Sequence, residues 1–223
     1  MTRSFLVAAC LAATAAAPAQ TPAASSPSGN QASTSPARPE VKKFVVGSAV
    51  DQSITLKDIT GKTHTLKDYT GKIVVLDFWS IQCPVSLGYE ARLKQLHADY
   101  ASKGIVFLAI DANHTEVDKG TDPYARIKDY VKQQSIPYPI LIDTNNVIAD
   151  RFDAKTTPHV FILDGTARLC YAGSIDDDPD GRKSDQRNNY VRQALDALLS
   201  NREPPTPSTK PHGCTIKRVG PQG

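Results

Sequence analysis

Residues 73–86 read IVVLDFWSIQCPVS, an apolar run followed by a short turn, a cysteine and a proline. The run has the length and continuity of a buried strand, and the apolar spacing of residues 85–103 predicts a helix. Cys83 thus stands where a strand ends and a helix begins. Unpaired N–H groups and the positive end of the helix dipole favour a thiolate at that point. We therefore predict that Cys83 is a reactive thiol; the alternative is a buried structural cysteine.

Asp77 and Pro158 are candidate companions of Cys83. Asp77 lies within the apolar run, between Leu76 and Phe78. A buried carboxyl at this point has a raised pKa and can exchange protons with a nearby sulfur; the alternative is a strand-end carboxylate in solvent. Pro158, in TTPHVF, comes directly before another predicted strand. A proline in such a place can be cis and can bring its backbone beside a reactive sulfur.

Strand and helix patterns alternate along the rest of the body. Two hairpins are predicted, with turns at Thr60-Gly61 and Asp164-Gly165. Apolar runs predict strands at residues 105–111 and 138–143, and helical spacing predicts helices at residues 122–134, 145–152 and 184–201. In the last helix, the residues expected to face inward are Tyr190, Val191, Ala194, Leu195, Leu198 and Leu199. This order predicts an α/β fold, a central mixed β-sheet with helices on both faces.

The two ends of the chain differ in composition from the body. Residues 1–20 combine a cationic start, an apolar run and small residues, which predicts a signal peptide and export to the periplasm or beyond. Cys10 leaves a lipoprotein as an alternative, and the run is too short for a good transmembrane anchor. Residues 21–40 lack bulky apolar residues and predict a disordered linker. The folded domain is predicted at residues 41–201, followed by a proline-rich tail at residues 202–223.

Composition and motifs narrow the class of function. A net charge of +3 over 223 residues is too small to argue for nucleic acid or an anionic membrane as a partner. The body holds no stretch long enough to span a bilayer. No glycine-rich phosphate loop or flavin or nicotinamide signature is present, so no cofactor is predicted. The acidic run at residues 176–181 has Arg187 where a calcium loop needs Glu. His212 and Cys214 are too few ligands for a metal site.

The number of cysteines bears on the reaction. Of four in the chain, three remain if Cys10 leaves with the signal peptide. An odd number in an oxidising compartment leaves one thiol that is free, intermittently oxidised or bonded to another molecule. Ser86 stands where a Cys-x-x-Cys motif has its second thiol, so Cys83 needs another partner. Cys170, predicted opposite Phe161, would lie ~10 Å along the strand from the site, too far for a disulfide.

Cys214 is the predicted resolving cysteine. It follows the proline-rich segment beyond the last helix, and such a segment could span ~30 Å. It could therefore reach Cys83 in its own chain or in a neighbouring one. Two alternatives stay open at this point. The tail could pack as an edge strand and bury Cys214, or external thiols could reduce Cys83 directly.

The segment VVLDFWSIQC resembles the thioredoxin segment that leads to the attacking cysteine. By this resemblance Asp77 matches the family's buried aspartate, Trp79 its tryptophan, Cys83 its attacking cysteine and Pro158 its cis-proline. The wider pattern of CPVS, YASKGIVFLAIDAN, GSIDDD and GCTIK is similar to peroxiredoxin-like redoxin proteins of the alkyl hydroperoxide reductase/thiol-specific antioxidant family. The resemblance covers residues 45–218 and implies a thioredoxin-like fold.

Three positions depart from the family patterns. Ser86 excludes the ordinary exchange within Cys-x-x-Cys. Ser80 suits the hydroxyl position of peroxiredoxins, but Leu76 stands where those enzymes have proline. Pro158 occupies the place where many of them have their catalytic arginine. The resemblance therefore implies a thiol site without the usual peroxidase set.

Residues and resemblance together predict an exported thiol oxidoreductase with antioxidant-type activity. Cys83 is expected to attack a hydroperoxide or a protein disulfide, and Asp77, Pro158 and Cys214 to complete the site. A thiol reductant protein is expected to restore the reduced form. The alternative function is a catalytically degenerate thioredoxin-fold module that binds client proteins without turnover. Ordinary reactivity of Cys83 toward alkylating reagents at neutral pH would favour that module.

Overall fold

Strands and helices alternate along the chain in the order that the apolar pattern predicts. The structure, a computed structural model, describes residues 41–183 and 186–220. The predicted signal peptide and linker lie outside these residues. The strands are β1 (Thr55–Asp58), β2 (Thr63–Thr65), β3 (Val74–Trp79), β4 (Val106–Asp111), β5 (Ile140–Ile142), β6 (Thr156–Thr157), β7 (His159–Leu163), β8 (Leu169–Gly173) and β9 (Cys214–Thr215). The α-helices are α1 (Pro84–Ala101), α2 (Ala125–Gln134), α3 (Val147–Arg151) and α4 (Tyr190–Leu199).

Seven strands form one mixed sheet in the order β2-β1-β5-β4-β3-β7-β8. The central strand β3 runs parallel to β4 and antiparallel to β7, and β4 runs parallel to β5. All six residues of β3 are buried, as expected for a strand covered on both faces. Because β3 and β4 are parallel, their carboxyl ends lie side by side at one edge of the sheet, where Cys83 follows β3.

Helices cover both faces of the sheet, as the sequence predicts. Successive side chains of a strand point to opposite faces. In β3, Val75 and Trp79 pack in the apolar cluster that includes residues of α1, α2 and α4. Leu76 and Phe78 pack in the second cluster, which includes α3 and Ile216 near the end of the chain. By this alternation Asp77 faces the same side as α1.

Helix α1 presents Cys83 at its N-terminus. Cys83 is the N-cap residue and Pro84 is the first helical residue, where the missing N–H of proline costs no hydrogen bond. The predicted helix is confirmed, and its apolar residues Tyr89, Leu93, Leu96 and Tyr100 are all buried. The strand before the helix and the core face of the helix therefore both hold Cys83 in place.

Helix α4 differs from its prediction at both ends. It begins at Tyr190 and not at residue 184, because the side chain of Asn189 caps it and Asn188 instead donates to Asp177. Val191, Ala194 and Leu195 are buried as expected, whereas Leu199 is 38% exposed. At 100° per residue, Leu199 falls at the margin of this buried stripe and turns toward solvent.

The second hairpin also has a different register from the predicted one. Phe161 lies opposite Ala172 and not opposite Cys170. An irregularity between Ile162 and Leu163 shifts the pairing, and the thiol of Cys170 contacts the backbone of Arg168. Cys170 is buried in this irregular part of the hairpin, and the sequence pattern carried no sign of the extra residue.

The proline-rich tail packs along the domain. It forms a bridge between Ser208 and Ala172 at the edge of β8, and its strand β9 pairs antiparallel with β6. Ile216 is buried in the core. The tail thus packs as a strand, as in one of the alternatives, and does not cross ~30 Å, but Cys214 is half-buried and not fully buried.

None of the helices within residues 41–183 and 186–220 has the length and apolar character of a membrane span. The same residues contain no group of three or more potential metal ligands. The acidic run is instead an ion-pair site, where Asp176 accepts hydrogen bonds from Tyr89 and Arg92.

Candidate active site

Cys83 is only 2% exposed, and its thiol makes a small number of polar contacts. Its sulfur accepts a hydrogen bond from the backbone N–H of Ser86 at 3.4 Å, within the first turn of α1. The thiol donates to the backbone carbonyl of Thr157 at 2.8 Å. The site therefore forms where the N-terminus of α1 meets the connection between β6 and β7.

Pro158 lies in that connection. The Thr157–Pro158 bond is cis, which confirms the prediction for TTPHVF. The carbonyl of Thr157 faces the sulfur of Cys83, so the predicted proximity of this loop to the thiol is confirmed as well. Cys83 and Pro158, which are far apart in sequence, thus meet as the resemblance implied.

Cys214 is the second thiol at this point. In the pairing of β6 with β9 it is the direct partner of Thr157. Its side chain and that of Cys83 line the same cleft, and the two thiols lie close enough for each to shift the pKa of the other. Both cysteines are free thiols. The structure thus brings together the two thiols that the sequence paired.

Gly213 explains how the tail can come so close. A Cβ atom on this residue would lie 2.1 Å from the carbonyl oxygen of Thr157 and 3.1 Å from the nitrogen of Pro158. The first distance is far inside van der Waals contact and the second is tight, and both neighbouring atoms are backbone. A residue without a side chain is therefore required for Cys214 to dock beside the thiol of Cys83.

The two thiols differ in acidity. Burial works to raise the pKa of Cys83, but the neighbouring side chains of Cys214 and Thr157 and the backbone N–H of Ser86 outweigh it and lower the pKa below its ordinary value. Burial raises the pKa of Cys214, and the neighbouring sulfur of Cys83 raises it further. Cys83 therefore ionises first, with Cys214 as a neutral donor beside it. Burial raises the pKa of Cys170 to about 12, which keeps that thiol protonated and unreactive.

Asp77 is buried and not in solvent. It is 4% exposed, and neither carboxylate oxygen has a hydrogen-bond partner among the described residues. Burial raises its pKa well above the ordinary value, and the negative charge of Cys83 acts in the same direction, although the backbone of His159 opposes it. Asp77 thus lies close enough to Cys83 for each group to influence the ionisation of the other. It does not line the cleft that opens at the thiol.

A cleft of about 210 Å³ opens at the two cysteines. Its lining includes Ser80, Cys83, Asn113, Glu116, Thr157, Cys214 and Lys217. Glu116, which was not predicted from the sequence, is 1% exposed. The only signal in the sequence was an acidic residue shortly after the predicted strand 105–111.

Glu116 holds the turn that leads to Cys83. One carboxylate oxygen accepts the backbone N–H of Ile81 at 2.9 Å, and the other accepts the N–H of Gln82 at 3.3 Å and the hydroxyl of Ser80. Behind it, burial and the charge of Glu116 raise the pKa of Asp111. The loop between β3 and α1 is thus fixed by a side chain from beyond β4.

Replacement of Glu116 by glutamine should loosen this turn. The amide retains only one acceptor oxygen, and its NH₂ group would face N–H or O–H donors that the carboxylate now accepts. Leaving a buried donor unsatisfied costs about 1–3 kcal/mol, so we expect that loss in the free energy of unfolding, measured by urea denaturation. The matched control Ser80→Ala removes the hydroxyl that donates to Glu116 and accepts from Gln82. It should cost less, because the N–H of Gln82 keeps Glu116 as an acceptor. Equal stability of Glu116→Gln and wild type would show that the carboxylate does not hold the turn.

Known proteins resemble this chain in sequence and in structure. The AhpC/TSA family matches residues 46–172. Thiol-disulfide oxidoreductase ResA of Bacillus cereus is 30% identical over 130 residues, which are 58% of this chain and 65% of that protein. The chain thus spans about 65% of the length of this relative.

Two solved structures resemble the fold across most of the chain. A hypothetical protein from Sinorhizobium meliloti 1021 is 27% identical, with a TM-score of 0.70 over 80% of this chain and 97% of the other. An uncharacterized conserved protein from Geobacillus kaustophilus is also 27% identical, with a TM-score of 0.69 over 80% of this chain and 95% of the other. The mixed sheet with helices on both faces is the predicted thioredoxin-like fold. Since the family match extends over more than half of its residues, the chain belongs to the AhpC/TSA family.

Proposed function

We propose that the protein is a thiol-disulfide oxidoreductase in which Cys83 attacks the substrate and Cys214 resolves the product. The observation that carries this proposal is the position of two thiols in one cleft, with Cys83 at a helix N-terminus and of lowered pKa, and Cys214 of raised pKa. The name of the Bacillus cereus relative, Thiol-disulfide oxidoreductase, supports the same chemistry. A binding module without turnover would not need an acidic thiol with a partner beside it.

The reaction proceeds by two exchanges. The thiolate of Cys83 attacks one sulfur of a substrate disulfide, forms a mixed disulfide with it and releases the other sulfur as a thiolate, which takes up a proton. Cys214 then loses its proton and attacks the sulfur of Cys83. This step forms the Cys83–Cys214 disulfide and releases the second substrate thiol. The substrate gains two electrons, and an external thiol reductant protein returns them to the cysteine pair.

The other site residues assist these steps in different ways. The backbone N–H of Ser86 stabilises the thiolate of Cys83, both when it attacks and when it is released again. The loop of Pro158 supports the thiol through the carbonyl of Thr157. Asp77 is the candidate proton acceptor for the resolving step, because a carboxyl with a raised pKa exchanges protons more readily near neutral pH.

Hydroperoxides are the second candidate substrate class. The small cleft at Cys83 favours them, since it is large enough for a small oxidant. The hydroxyl of Ser80, however, donates to Glu116 and is not directed at a bound peroxide. The first product on Cys83 would be a sulfenic acid, which Cys214 would resolve to the same disulfide. Disulfides are therefore the favoured substrates, and an antioxidant-type activity toward peroxides is the alternative.

We also infer that the protein acts outside the cytoplasm. The inference is supported by the cationic start, apolar run and small residues of residues 1–20. Disulfides persist as substrates in oxidising compartments. Mass spectrometry of the protein recovered from its native host would give its mature N-terminus, and a retained Met1 with cytoplasmic fractionation would contradict export.

The Cys214→Ser variant tests the resolving step. After one equivalent of a disulfide or of hydrogen peroxide, wild type should form a Cys83–Cys214 cross-link, mapped by non-reducing peptide mass spectrometry. In Cys214→Ser the mixed disulfide or sulfenic acid on Cys83 should persist, and turnover should fall by about tenfold or more because resolution becomes bimolecular. Cys170→Ala is the control and should form the cross-link normally. Full turnover in Cys214→Ser, with no cross-link in wild type, would mean that external thiols act on Cys83 directly.

A further inference from the structure

We propose that residues 207–219, here called the C-terminal strap, select substrates by size. While the strap is docked, Cys83 admits small disulfides and excludes the extended segments of protein disulfides. The proposal rests on the thiol-disulfide function and adds the substrate class to it. It is argued from the two anchors of the strap and from what its middle part covers.

The upstream anchor of the strap is Thr209. Its backbone N–H donates to the carbonyl of Ala172 at 3.0 Å, and its hydroxyl accepts the N–H of Ser174 at 2.8 Å. The hydroxyl also lies 2.8 Å from the phenol oxygen of Tyr171. A Cβ atom on Gly173 would come within 2.1 Å of this hydroxyl oxygen, so the edge of β8 accommodates the strap closely.

The downstream anchor begins directly after β9. Ile216 is 3% exposed and packs in the core cluster that includes α3. The backbone N–H of Lys217 donates to the side chain of Asn113 at 2.9 Å, and its carbonyl accepts the N–H of His114 at 2.9 Å. The guanidinium of Arg218 donates to Asp150. The strap is therefore held more strongly after Cys214 than before it.

The middle of the strap covers the thiol. Gly213 packs against the Thr157–Pro158 peptide, and β9 occupies the edge of β6, its partner in a two-stranded sheet. An extended segment of another protein would need that edge for its own backbone hydrogen bonds. With the edge occupied, Cys83 is 2% exposed and is approached through the cleft of about 210 Å³. This volume lies below the usual ~300–1,000 Å³ of pockets for drug-sized ligands, so it suits a small disulfide.

Release of the upstream half of the strap would open the same thiol to larger substrates. The weakest part of the arrangement is the segment between Thr209 and Gly213, whose polar contacts end at the carbonyl of Lys210, an acceptor for Ser174. Lifting this segment together with Cys214 would uncover Thr157, the residue of β6 beside Cys83, while Ile216 stays in the core. The strap thus determines which disulfides reach Cys83 without taking part in the first exchange.

The test compares two disulfides of different size in full-length protein with a Cys214→Ser background, so that the mixed disulfide on Cys83 accumulates. The small probe is bis(2-hydroxyethyl) disulfide and the large probe is insulin. The rate of adduct formation at Cys83 is measured for each by peptide mass spectrometry. Gly213→Ala displaces the strap sterically, and Thr209→Val removes its hydroxyl contacts while retaining its shape. Gly120→Ala is the control, since a Cβ atom there meets nothing within 4 Å.

We expect the background protein to react much faster with the small disulfide than with insulin. In Gly213→Ala and Thr209→Val the ratio of the two rates should fall by about tenfold, equivalent to about 1.4 kcal/mol of strap docking. It should stay unchanged in Gly120→Ala. Two results would overturn the proposal and leave the proposed function intact. The first is equal rates with both probes before any change in the strap. The second is an unchanged ratio of the two rates in a folded Gly213→Ala or Thr209→Val protein. No reaction of Cys83 with either disulfide would overturn both.

Discussion

Cys83→Ser should lose disulfide reduction almost completely, with a fall in rate of about 10³-fold or more, because its hydroxyl is not ionised at neutral pH and forms no mixed disulfide. The measurement is turnover of a small disulfide with an excess of dithiol reductant. Cys83 combines the first turn of α1, a lowered pKa and contact with Cys214, and none of the other described thiols does. Its loss therefore removes the attacking group and one half of the proposed disulfide.

The pH dependence of alkylation tests the same role in wild type. Because the pKa of Cys83 is lowered, its reaction with iodoacetamide should reach half of its maximal rate at a lower pH than that of an unperturbed cysteine. Cys170→Ala should retain both activity and this profile, since the Cys170 thiol is buried and its pKa is raised to about 12. An ordinary midpoint, together with no turnover in wild type, would indicate a binding module.

The predictable part of the site depends on local sequence. Cys83 follows a buried strand and precedes a proline at the start of a predicted helix, and this local pattern alone places it at a helix N-terminus. In the structure Cys83 is the N-cap residue of α1. Burial of Asp77 follows from its apolar neighbours in β3, and the loop of Pro158 follows from a proline before a strand. These features need only neighbouring residues, so the sequence predicts them well.

The contact of Cys214 with Cys83 shows a different case. The pairing of the two thiols was predicted from the length of the proline-rich tail, which could extend to Cys83. In the structure, Cys214 instead lies in a two-residue strand that pairs with Thr157. So short a strand has no periodicity to detect. The signal that was present is Gly213, since close approach of two backbones requires a glycine, but its partner at Thr157 is not evident from the sequence.

Contacts between a side chain and a backbone segment that are far apart in the sequence could not be predicted from local patterns. Glu116 caps the turn at residues 80–82 across a separation of 36 residues from Ser80. Nothing in the local pattern distinguishes such a carboxylate from one in solvent. The shifted register at Cys170 has the same origin, because the irregularity in the hairpin depends on how both strands pack and not on their apolar alternation.

Asp77→Asn should stabilise the protein at neutral and alkaline pH by about 3 kcal/mol, the scale of an uncompensated buried charge. Both oxygens of Asp77 are buried without a hydrogen-bond partner among the described residues, so the ionised form is costly in the folded state. Asparagine has nearly the same shape and does not ionise. The measurement is urea denaturation of both proteins at several values of pH, with the free energy of unfolding compared at each.

The direction of the pH effect follows from the raised pKa of Asp77. In the unfolded chain the carboxyl ionises near its usual pKa of about 3.9, whereas in the folded protein burial keeps it protonated to higher pH. Wild type should therefore be most stable relative to Asp77→Asn below the unfolded pKa, and should lose that stability as pH rises toward the folded pKa. Above the folded pKa the difference between the two proteins should be constant.

Asp58 provides a control of opposite sign. It is also buried, but hydrogen bonds from Thr60, His64 and Lys62 outweigh burial and lower its pKa. Its ionised form therefore stabilises the fold above the unfolded pKa, and that contribution is lost as pH falls through the folded pKa. Asp58→Asn should accordingly destabilise the protein at neutral pH. If Asp77→Asn also destabilised it at every pH, Asp77 would have a partner for its charge and could not serve as the proton acceptor proposed for it beside Cys83.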